Sequence, residues 1–448
     1  MKIFTSTLFF LHITLSCLSQ VNFSSGSYSS TLQMAKESGR MIFIQFESET
    51  CDQCNEVADK AFEDKKLADQ LEQGFISLKI DADHPDRDIV AALFNKSKGF
   101  GSLFISSDGV LIHTYPRTTT MASAYLKEID IALTKAGEGL RVSDFEKEFK
   151  KGNKSPLIIE QLLILRRSLN LSTDSLLDEY VSLLPADSLQ SVHTLLFIAQ
   201  MDPVLDSPAD KILRKNQPVF NKAWYTLSQP SRVGINNRIL YKSIQKAIHE
   251  KNIGFAYRVA AFAKSTYTPL SPSGNKSYNY YVLIFYEGTH DTINYLQRAI
   301  TYYDTYYMTV APDSIKSKDS AYTKMLLSKQ TPEKVINGNS VTYRKQVRIS
   351  SLAQAYSRQL NNAAWNFYNY TTNPTFLQKA LQWAARANEF FSSAEARDIY
   401  ACLLYKTGNK DEAISWMSKA IQLKKERGFK TDNWEIVLAT MKEGIAIK

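Results

Sequence analysis

The sequence predicts an α/β domain, with a mixed sheet and flanking helices, followed by an all-α region that ends in helical repeats. Three observations indicate this. The chain has 448 residues, more than the ~250–300 residues at which single domains tend to divide. Short runs typical of β-strands alternate with helical patterns over about residues 40–135. Beyond about residue 140, apolar residues recur at three- and four-residue intervals, as they do along amphipathic helices.

The first 19 residues have the pattern of a secretory signal peptide. Lys2 precedes an apolar run over 8–15, small residues follow, and we predict cleavage after Ser19. A lipid anchor on Cys17 is the alternative, although a threonine three positions before the cysteine is unusual there. No later apolar run approaches the ~18 residues of a spanning helix. We therefore expect a protein exported to the periplasm or cell envelope, without a membrane span.

The chain carries a formal net charge of +9, from 54 Lys and Arg against 45 Asp and Glu. The basic residues are scattered, and no basic run alternates with aromatic residues as it does in nucleic-acid-binding segments. We interpret the charge as a general property of the surface and expect no nucleic-acid partner.

The elements of the α/β part follow from local patterns. The run "MIFIQF" (41–46) is a predicted strand, and "CDQC" (51–54) opens the helix after it. Asp108 and Gly109 form a dipeptide that strongly marks a hairpin turn. The other predicted elements are the continuation of that helix over 55–73, a strand over 75–81, a helix over 86–97, hairpin strands over 102–106 and 110–115, and a helix over 121–136.

The two cysteines at this helix start, Cys51 and Cys54, allow three interpretations. In an exported protein such close thiols form a disulfide unless they are reduced, so the pair is either a reversible redox site or a permanent structural disulfide. The loop between them is so short that a permanent disulfide adds little stability. Half of a zinc site is the third interpretation, but the chain has no second such pair. Cys402 is predicted to be a buried hydrophobic residue, and we predict no metal and no cofactor.

The region around the cysteine pair resembles the thioredoxin family. The resemblance is carried by "MIFIQFESETCDQCNEVADK" (41–60) and "GFGSLFISSDGVLIHTY" (99–115), and it spans about residues 25–136. It implies a thioredoxin-like fold and thiol–disulfide oxidoreductase activity. Cys51 is then the nucleophile, because a helix N-terminus stabilises a thiolate, and Cys54 is the resolving thiol. The implied partners are protein thiols or disulfides and an upstream electron donor of the envelope.

Four departures from the family pattern surround this motif. Thr50 stands where a Trp is common, and Asp52 and Gln53 replace the usual Gly-Pro. Gln45 stands where well-known members carry a buried carboxylate. Gly101 takes the place of the cis-proline that lies against the disulfide and shapes the substrate groove. The alternative function is therefore a non-catalytic interaction scaffold of the cell envelope with a degenerate thioredoxin-like domain.

Carboxylates are concentrated around the cysteine pair, at Glu47, Glu49, Asp52 and Glu56. Like charge disfavours a thiolate. We therefore expect Cys51 to be less acidic than in strongly oxidising relatives, and the couple to be reducing.

The C-terminal quarter contains a repeat. The segments "QKALQWAARA" (378–387) and "DEAISWMSKA" (411–420) align with Ala380 over Ala413, an offset of 413 − 380 = 33 residues. This resembles the tetratricopeptide family, whose repeat is a helical pair of ~34 residues, and it implies a surface for a protein client or partner. The predicted domains are a thioredoxin-like domain over 20–138, a helical region over 139–350 and tetratricopeptide-like repeats over 351–448.

Other residues carry weaker signals. His84 and His290 adjoin Asp residues in turn-like segments, where structural hydrogen bonds are commoner than catalysis. The tyrosines at 302, 303, 306 and 307 have helical spacing and are interpreted as helix core, with a peptide-binding groove as the alternative. Prolines and small residues predict long loops over 265–277 and 328–340.

Overall fold

A computed structural model describes residues 20–49, 51–94, 100–137, 142–330, 333–337, 340–344 and 351–447. The chain divides into two compact units, Met1–Ile235 and Asn236–Lys448. The predicted fold class is confirmed, because the N-terminal part contains a mixed four-stranded sheet with flanking helices and the rest is predominantly helical. Among the described residues, no helix has both the length and the apolar character that crossing a membrane requires. The domain boundaries stay predictions.

The elements of the first unit alternate between helix and strand and then become helical. The α/β part consists of α1 (Tyr28–Ser38), β1 (Met41–Phe46), α2 (Asp52–Phe62), α3 (Lys65–Gly74), β2 (Phe75–Ile80), α4 (Arg87–Leu93), β3 (Gly101–Ile105), β4 (Leu111–Tyr115) and α5 (Ala122–Gly137). The helices that follow are α6 (Val142–Lys150), α7 (Pro156–Ser168), α8 (Asp174–Leu183), α9 (Val192–Gln200), α10 (Pro208–Lys215) and α11 (Gln217–Trp224), with a short 3-10 turn at Ser188–Gln190. The boundary between the units falls within α12 (Gln229–His249).

The sheet has the strand order β2-β1-β3-β4, with β1 parallel to β2 and antiparallel to β3. All six residues of the central β1 are buried. Because successive side chains of a strand point to opposite faces, each face carries its own apolar core. On one face Phe43 contacts Phe62 of α2 and Phe104 of β3, with ring centroids 6.0 and 5.3 Å apart. On the other face lie Ile42 and Ile44.

The core on the second face extends beyond the α/β part. Ile42 and Ile44 belong to the same buried apolar cluster as Ile159 and Leu163 of α7 and Leu177 of α8. Burial of apolar surface stabilises a fold by ~25 cal/mol per Å². The helices that follow α5 therefore contribute to the stability of the sheet.

The single helix predicted over 55–73 is two helices, α2 and α3. The Asp64 side chain accepts a hydrogen bond from the backbone N–H of Leu67 at 3.0 Å and so caps α3. Asp is a favoured N-cap residue because it satisfies a backbone donor that has no partner within the helix. The sequence prediction missed this start signal in the middle of a helical pattern.

The hairpin predicted at Asp108 and Gly109 is confirmed. β3 and β4 pair in antiparallel fashion, and the backbone N–H of Ser106 donates to the carbonyl of Val110 at 2.8 Å. Gly109 has a φ of +86°, a backbone conformation that glycine adopts at little cost.

The edge strand β4 is linked to α5 through a buried histidine. His113 Nε2 lies 2.6 Å from Glu128 Oε2, and its Nδ1 lies 3.2 Å from Lys135 Nζ. An ammonium group can only donate, so Nδ1 accepts and Nε2 carries the proton that it donates to Glu128. Burial, and secondarily the positive charge of Lys135, hold the pKa of His113 below its ordinary value.

This histidine should make stability depend on pH. Because the folded state holds His113 neutral, its stabilising contribution is present above the ordinary histidine pKa of about 6.5 and is lost as the pH falls below that value. We expect His113 to lower the urea midpoint of the first unit between pH 7.5 and pH 5.5. Asp398 of the second unit, whose pKa burial raises to about 7, acts in the opposite direction. The decrease should be smaller in His113→Gln, which cannot titrate, and an equal decrease in both proteins would contradict this assignment.

The second unit is built mainly from helices. Its elements after α12 are α13 (Ile253–Ser265), α14 (Pro272–Gly288), α15 (Thr292–Tyr303), a π-helical turn (Asp304–Met308), α16 (Pro312–Lys329), β5 (Glu333–Asn337), β6 (Ser340–Arg344), α17 (Leu352–Tyr370), α18 (Pro374–Phe390), α19 (Ala394–Lys406), α20 (Lys410–Glu426) and α21 (Asp432–Lys442). α17 packs against α18, and α19 against α20. The repeated alanines are fully buried, namely Ala380, Ala387, Ala413 and Ala420. The type of repeat stays a prediction.

Two predicted loops are partly regular structure, and those predictions were wrong. Within 265–277, α14 begins at Pro272, since proline is favoured in the first helical turn. Within 328–340, β5 pairs with β6. The sequence contains Asn337 and Gly338, a hairpin signal that the loop prediction did not use. Gly338 lies outside the described residues.

The tyrosine cluster of α15 and the π-helical turn is part of the core. Tyr302, Tyr303 and Tyr307 are 4%, 6% and 6% exposed. Tyr303 also contacts the fully buried Trp383 of α18, with ring centroids 5.3 Å apart. The interpretation as helix core is confirmed for these three side chains, whereas Tyr306 is only half-buried.

Candidate functional site

The cysteine pair lies at the start of α2, just after the loop that follows β1. Cys51 and Cys54 form a disulfide with their Cα atoms 5.2 Å apart. Cys51 occupies the N-cap position of α2, and the backbone N–H of Cys54 points at Cys51 Sγ at 3.3 Å. A sulfur at this position experiences the positive end of the helix dipole. The geometry therefore favours a thiolate at Cys51 when the disulfide is open.

Asn55 fixes the loop that carries Cys51. Its Oδ1 accepts from the backbone N–H of Ser48 at 2.8 Å, and its Nδ2 donates to the carbonyl of Ser48 at 2.9 Å. These two bonds tie the loop to the first turn of α2. The sequence prediction missed this residue; the available signal is an Asn in a first helical turn, a residue type that often bonds to nearby backbone.

Cations from other elements reduce the negative charge around the pair. Lys79 Nζ of β2 lies 2.8 Å from Glu47 and 2.6 Å from Asp59 of α2. Arg87 Nε of α4 lies 2.5 Å from Glu49. The expected concentration of carboxylates is therefore partly neutralised, and it disfavours a Cys51 thiolate less than the sequence suggested. Thr50 and the side chain of Asp52 lie outside the described residues.

Arg87 is the main support of this loop from the α4 side. It is 9% exposed, and its guanidinium lies over the ring of Phe46 at 4.4 Å from the centroid. Its Nη2 donates to the carbonyl of Glu47 at 3.0 Å and its Nη1 to that of Asp81 at 2.8 Å. Because the guanidinium can donate several bonds in a fixed plane, one side chain holds the end of β1 and the start of the loop together.

Gly101 lies at the same end of the strands as the cysteine loop, since it pairs with Phe46 at the end of β1. Its φ is +118°, whereas a proline ring fixes φ near −65°. A Cβ at this position would lie 2.3 Å from the carbonyl oxygen of Tyr115. The backbone here excludes the proline of the family pattern and requires a glycine.

Gln45 lies on β1, two residues after Phe43 and therefore on the face that α2 covers. It is 1% exposed, and its Oε1 accepts from the hydroxyl of Ser102 at 2.8 Å. Its Nε2 has no hydrogen-bond partner among the described residues. A neutral amide therefore stands at the position that the resemblance aligns with a carboxylate of well-known thioredoxins.

The remaining candidate residues lie elsewhere. Cys402 is 4% exposed, as predicted, and its Sγ lies 3.7 Å from Asp398 Oδ1 in the second unit. Burial raises the pKa of Cys402 well above its ordinary value, so it is a poor nucleophile. His84 Nδ1 accepts from the backbone N–H of Asp86 at 3.1 Å, which is a structural role.

Comparison with known proteins identifies one matching segment. The family model Thioredox_DsbH, described as "Protein of unknown function, DUF255", matches residues 21–102. This segment includes β1, the cysteine pair and the first residues of β3. No curated protein matches the chain. The match supports a thioredoxin-like N-terminal part, and a cysteine pair in that setting is compatible with a redox role.

Proposed function

We propose that the chain is an exported thiol–disulfide oxidoreductase that acts on protein clients through Cys51 and Cys54, while the helical repeats bind a client or partner. The observation that carries this proposal is the disulfide at the start of α2, with a backbone N–H directed at Cys51 Sγ. The match to a thioredoxin-like family over the same segment supports it.

In the direction that reduces a client, the Cys51 thiolate attacks one sulfur of the client disulfide. A bond forms between Cys51 and that sulfur, and the other client sulfur leaves as a thiolate that takes up a proton. Cys54 then loses its proton and attacks Cys51 Sγ, which releases the second client thiol and closes the Cys51–Cys54 disulfide. The client gains two electrons and two protons, and an envelope electron donor must restore the two electrons. In reverse, the same pair oxidises a client dithiol.

The reduction potential of the pair tests this proposal. The chain is equilibrated in dithiol buffers of defined potential, and its free thiols are alkylated and counted by mass. A reversible couple between about −120 and −270 mV, the range of known exchange proteins, is the expected result. A disulfide that stays closed below about −300 mV is structural, and it would contradict the proposed activity. The mature chain, which lacks Cys17, is used, and Cys402→Ser is the matched control because only the pair can then titrate.

The alternative function, a non-catalytic scaffold, is favoured by one observation. Gly101 occupies the position of the proline that shapes the family's substrate groove, and its φ of +118° excludes that proline. A Cys51–Cys54 disulfide that stays closed below about −300 mV, together with retained partner binding by the helical repeats, would favour the scaffold.

The export part of the proposal has its own test. The intact mass of the protein, purified from the envelope of its native host, should correspond to a chain that begins at Gln20. A mass that includes a lipid on Cys17 would instead show an anchored form, and a mass of the full 448-residue chain would contradict export.

A further inference from the structure

A surface cavity of about 470 Å³ lies in the first unit, away from the disulfide. Its wall includes residues 109–111 of the β3–β4 hairpin, 92–94 at the end of α4, and parts of α6 and α7. β3 is antiparallel to β1, so Gly101 lies at the end of the strands that carries the cysteine loop. The hairpin after Ile105 lies at the opposite end of the strands. The cavity is therefore separate from the redox site, and its volume is in the range of small-molecule sites.

The wall combines apolar side chains with polar groups, among them the hydroxyl of a tyrosine. The apolar residues are Leu93, Phe94, Val110, Leu111, Val142 and Leu171. Tyr28 also lines the cavity and is 9% exposed. Its hydroxyl makes no hydrogen bond within the described part of the chain and is not fully enclosed, so a bound molecule can reach it. Burial raises the pKa of Tyr28, so this hydroxyl stays protonated and can donate.

A second polar feature of the wall is an ion pair that is already formed. Arg166 Nη1 lies 2.5 Å from Glu146 Oε1, and Arg166 Nε donates to the carbonyl of Ser172 at 2.7 Å. Both partners also line the cavity. A guanidinium has five N–H donors, so Arg166 can donate further bonds while its charge is balanced by Glu146.

We propose that this cavity binds a small amphipathic molecule, with its apolar body against Phe94, Leu111 and Leu171 and its oxygen acceptors at Tyr28 and Arg166. The apolar wall provides the binding energy and the two donors orient the head group, as in other small-molecule sites. The proposal does not depend on the redox chemistry.

Two fluorescent dyes with similar aromatic bodies test the proposal on the mature chain. Anilinonaphthalene sulfonate has an acceptor-rich head, and N-phenylnaphthylamine has none. We expect saturable binding of one equivalent of the sulfonate. The second dye should bind about two- to tenfold more weakly, the factor that a net hydrogen bond supplies.

Substitutions locate the site. Ala92 is exposed and lines the cavity, so Ala92→Trp should fill it and weaken both dyes by at least about tenfold, as expected for steric exclusion. Ile89→Trp is the matched control, because Ile89 is on the same helix, is 57% exposed and is not part of the wall. Tyr28→Phe should weaken only the sulfonate, by about two- to tenfold. Thermal unfolding of each variant establishes that it is folded.

Three results would overturn the proposal. The first is the absence of saturable binding of either dye to the unaltered chain. The second is dye affinity that Ala92→Trp leaves unchanged, which would place the dyes elsewhere. The third is an equal effect of Tyr28→Phe on both dyes, which would show that the hydroxyl does not contact the head group.

Discussion

Replacing Cys51 with Ser should abolish disulfide exchange, with a loss of at least about 10³-fold in rate, the order found when a catalytic nucleophile is removed. A serine hydroxyl is not ionised near neutral pH, so it cannot attack a disulfide as a thiolate does. The measurement is the rate at which the reduced chain opens a quenched fluorescent peptide disulfide. Cys402→Ser should change this rate by less than about twofold, because that thiol is buried in the other unit. Retained activity in Cys51→Ser would show that Cys51 is not the nucleophile.

Cys54→Ser should have a different effect, because it leaves the attacking thiol and removes the one that releases the client. Mixed disulfides between Cys51 and client proteins should then accumulate in extracts of the host envelope, and mass spectrometry would identify them. The double variant with Ser at both positions is the control and should trap nothing. An equal set of adducts in both variants would assign the trapping to Cys402 or to non-specific association.

Gly101→Pro should destabilise the first unit by at least about 3 kcal/mol, the cost of a proline in an incompatible backbone. The φ of +118° at this position is inaccessible to proline, so the proline that the thioredoxin resemblance places here does not fit this backbone. Gly101→Ala should also destabilise, by about 2–4 kcal/mol, because a positive φ and a contact of 2.3 Å with a backbone oxygen both oppose a Cβ.

Urea unfolding followed by circular dichroism measures both variants of Gly101. Gly74→Ala provides the comparison, because a Cβ there would meet nothing within 4 Å and the change should alter stability by less than about 1 kcal/mol. If Gly101→Ala were as stable as the unaltered chain, this backbone conformation would not be required.

The α/β elements were predictable because their signals are local. A run of six residues, five of them apolar, predicts β1, and Asp108 with Gly109 predicts the hairpin. Both patterns lie within a few residues of sequence. Local signals also explain the errors. Asp64 begins a new helix inside a continuous helical pattern, and a pattern of apolar spacing does not reveal where one helix ends and the next one starts.

The supports of the cysteine loop were not predictable, because they join distant residues. Arg87 and Glu49 are 38 positions apart in sequence. Lys79 reaches Glu47 because β2 pairs with β1 in a register that places Lys79 beside Gln45. A count of nearby acidic residues includes their charges but not the cations that the fold brings to them. The net charge around Cys51 and Cys54 therefore depends on which elements the fold brings together, and the sequence alone does not supply that arrangement.

The apolar cluster that joins the sheet to α7 and α8 limits how this molecule could have evolved. A redox domain that is exchanged between proteins must fold by itself, so its whole surface must be predominantly polar. Here one face of β1 shares its core with helices that lie more than a hundred residues later in the chain. Deletion or replacement of those helices would remove part of the buried apolar cluster that contains Ile42 and Ile44, and the apolar surface left exposed would make the remaining domain prone to aggregate. The thioredoxin-like part and these helices are therefore expected to be inherited together, as one unit of selection.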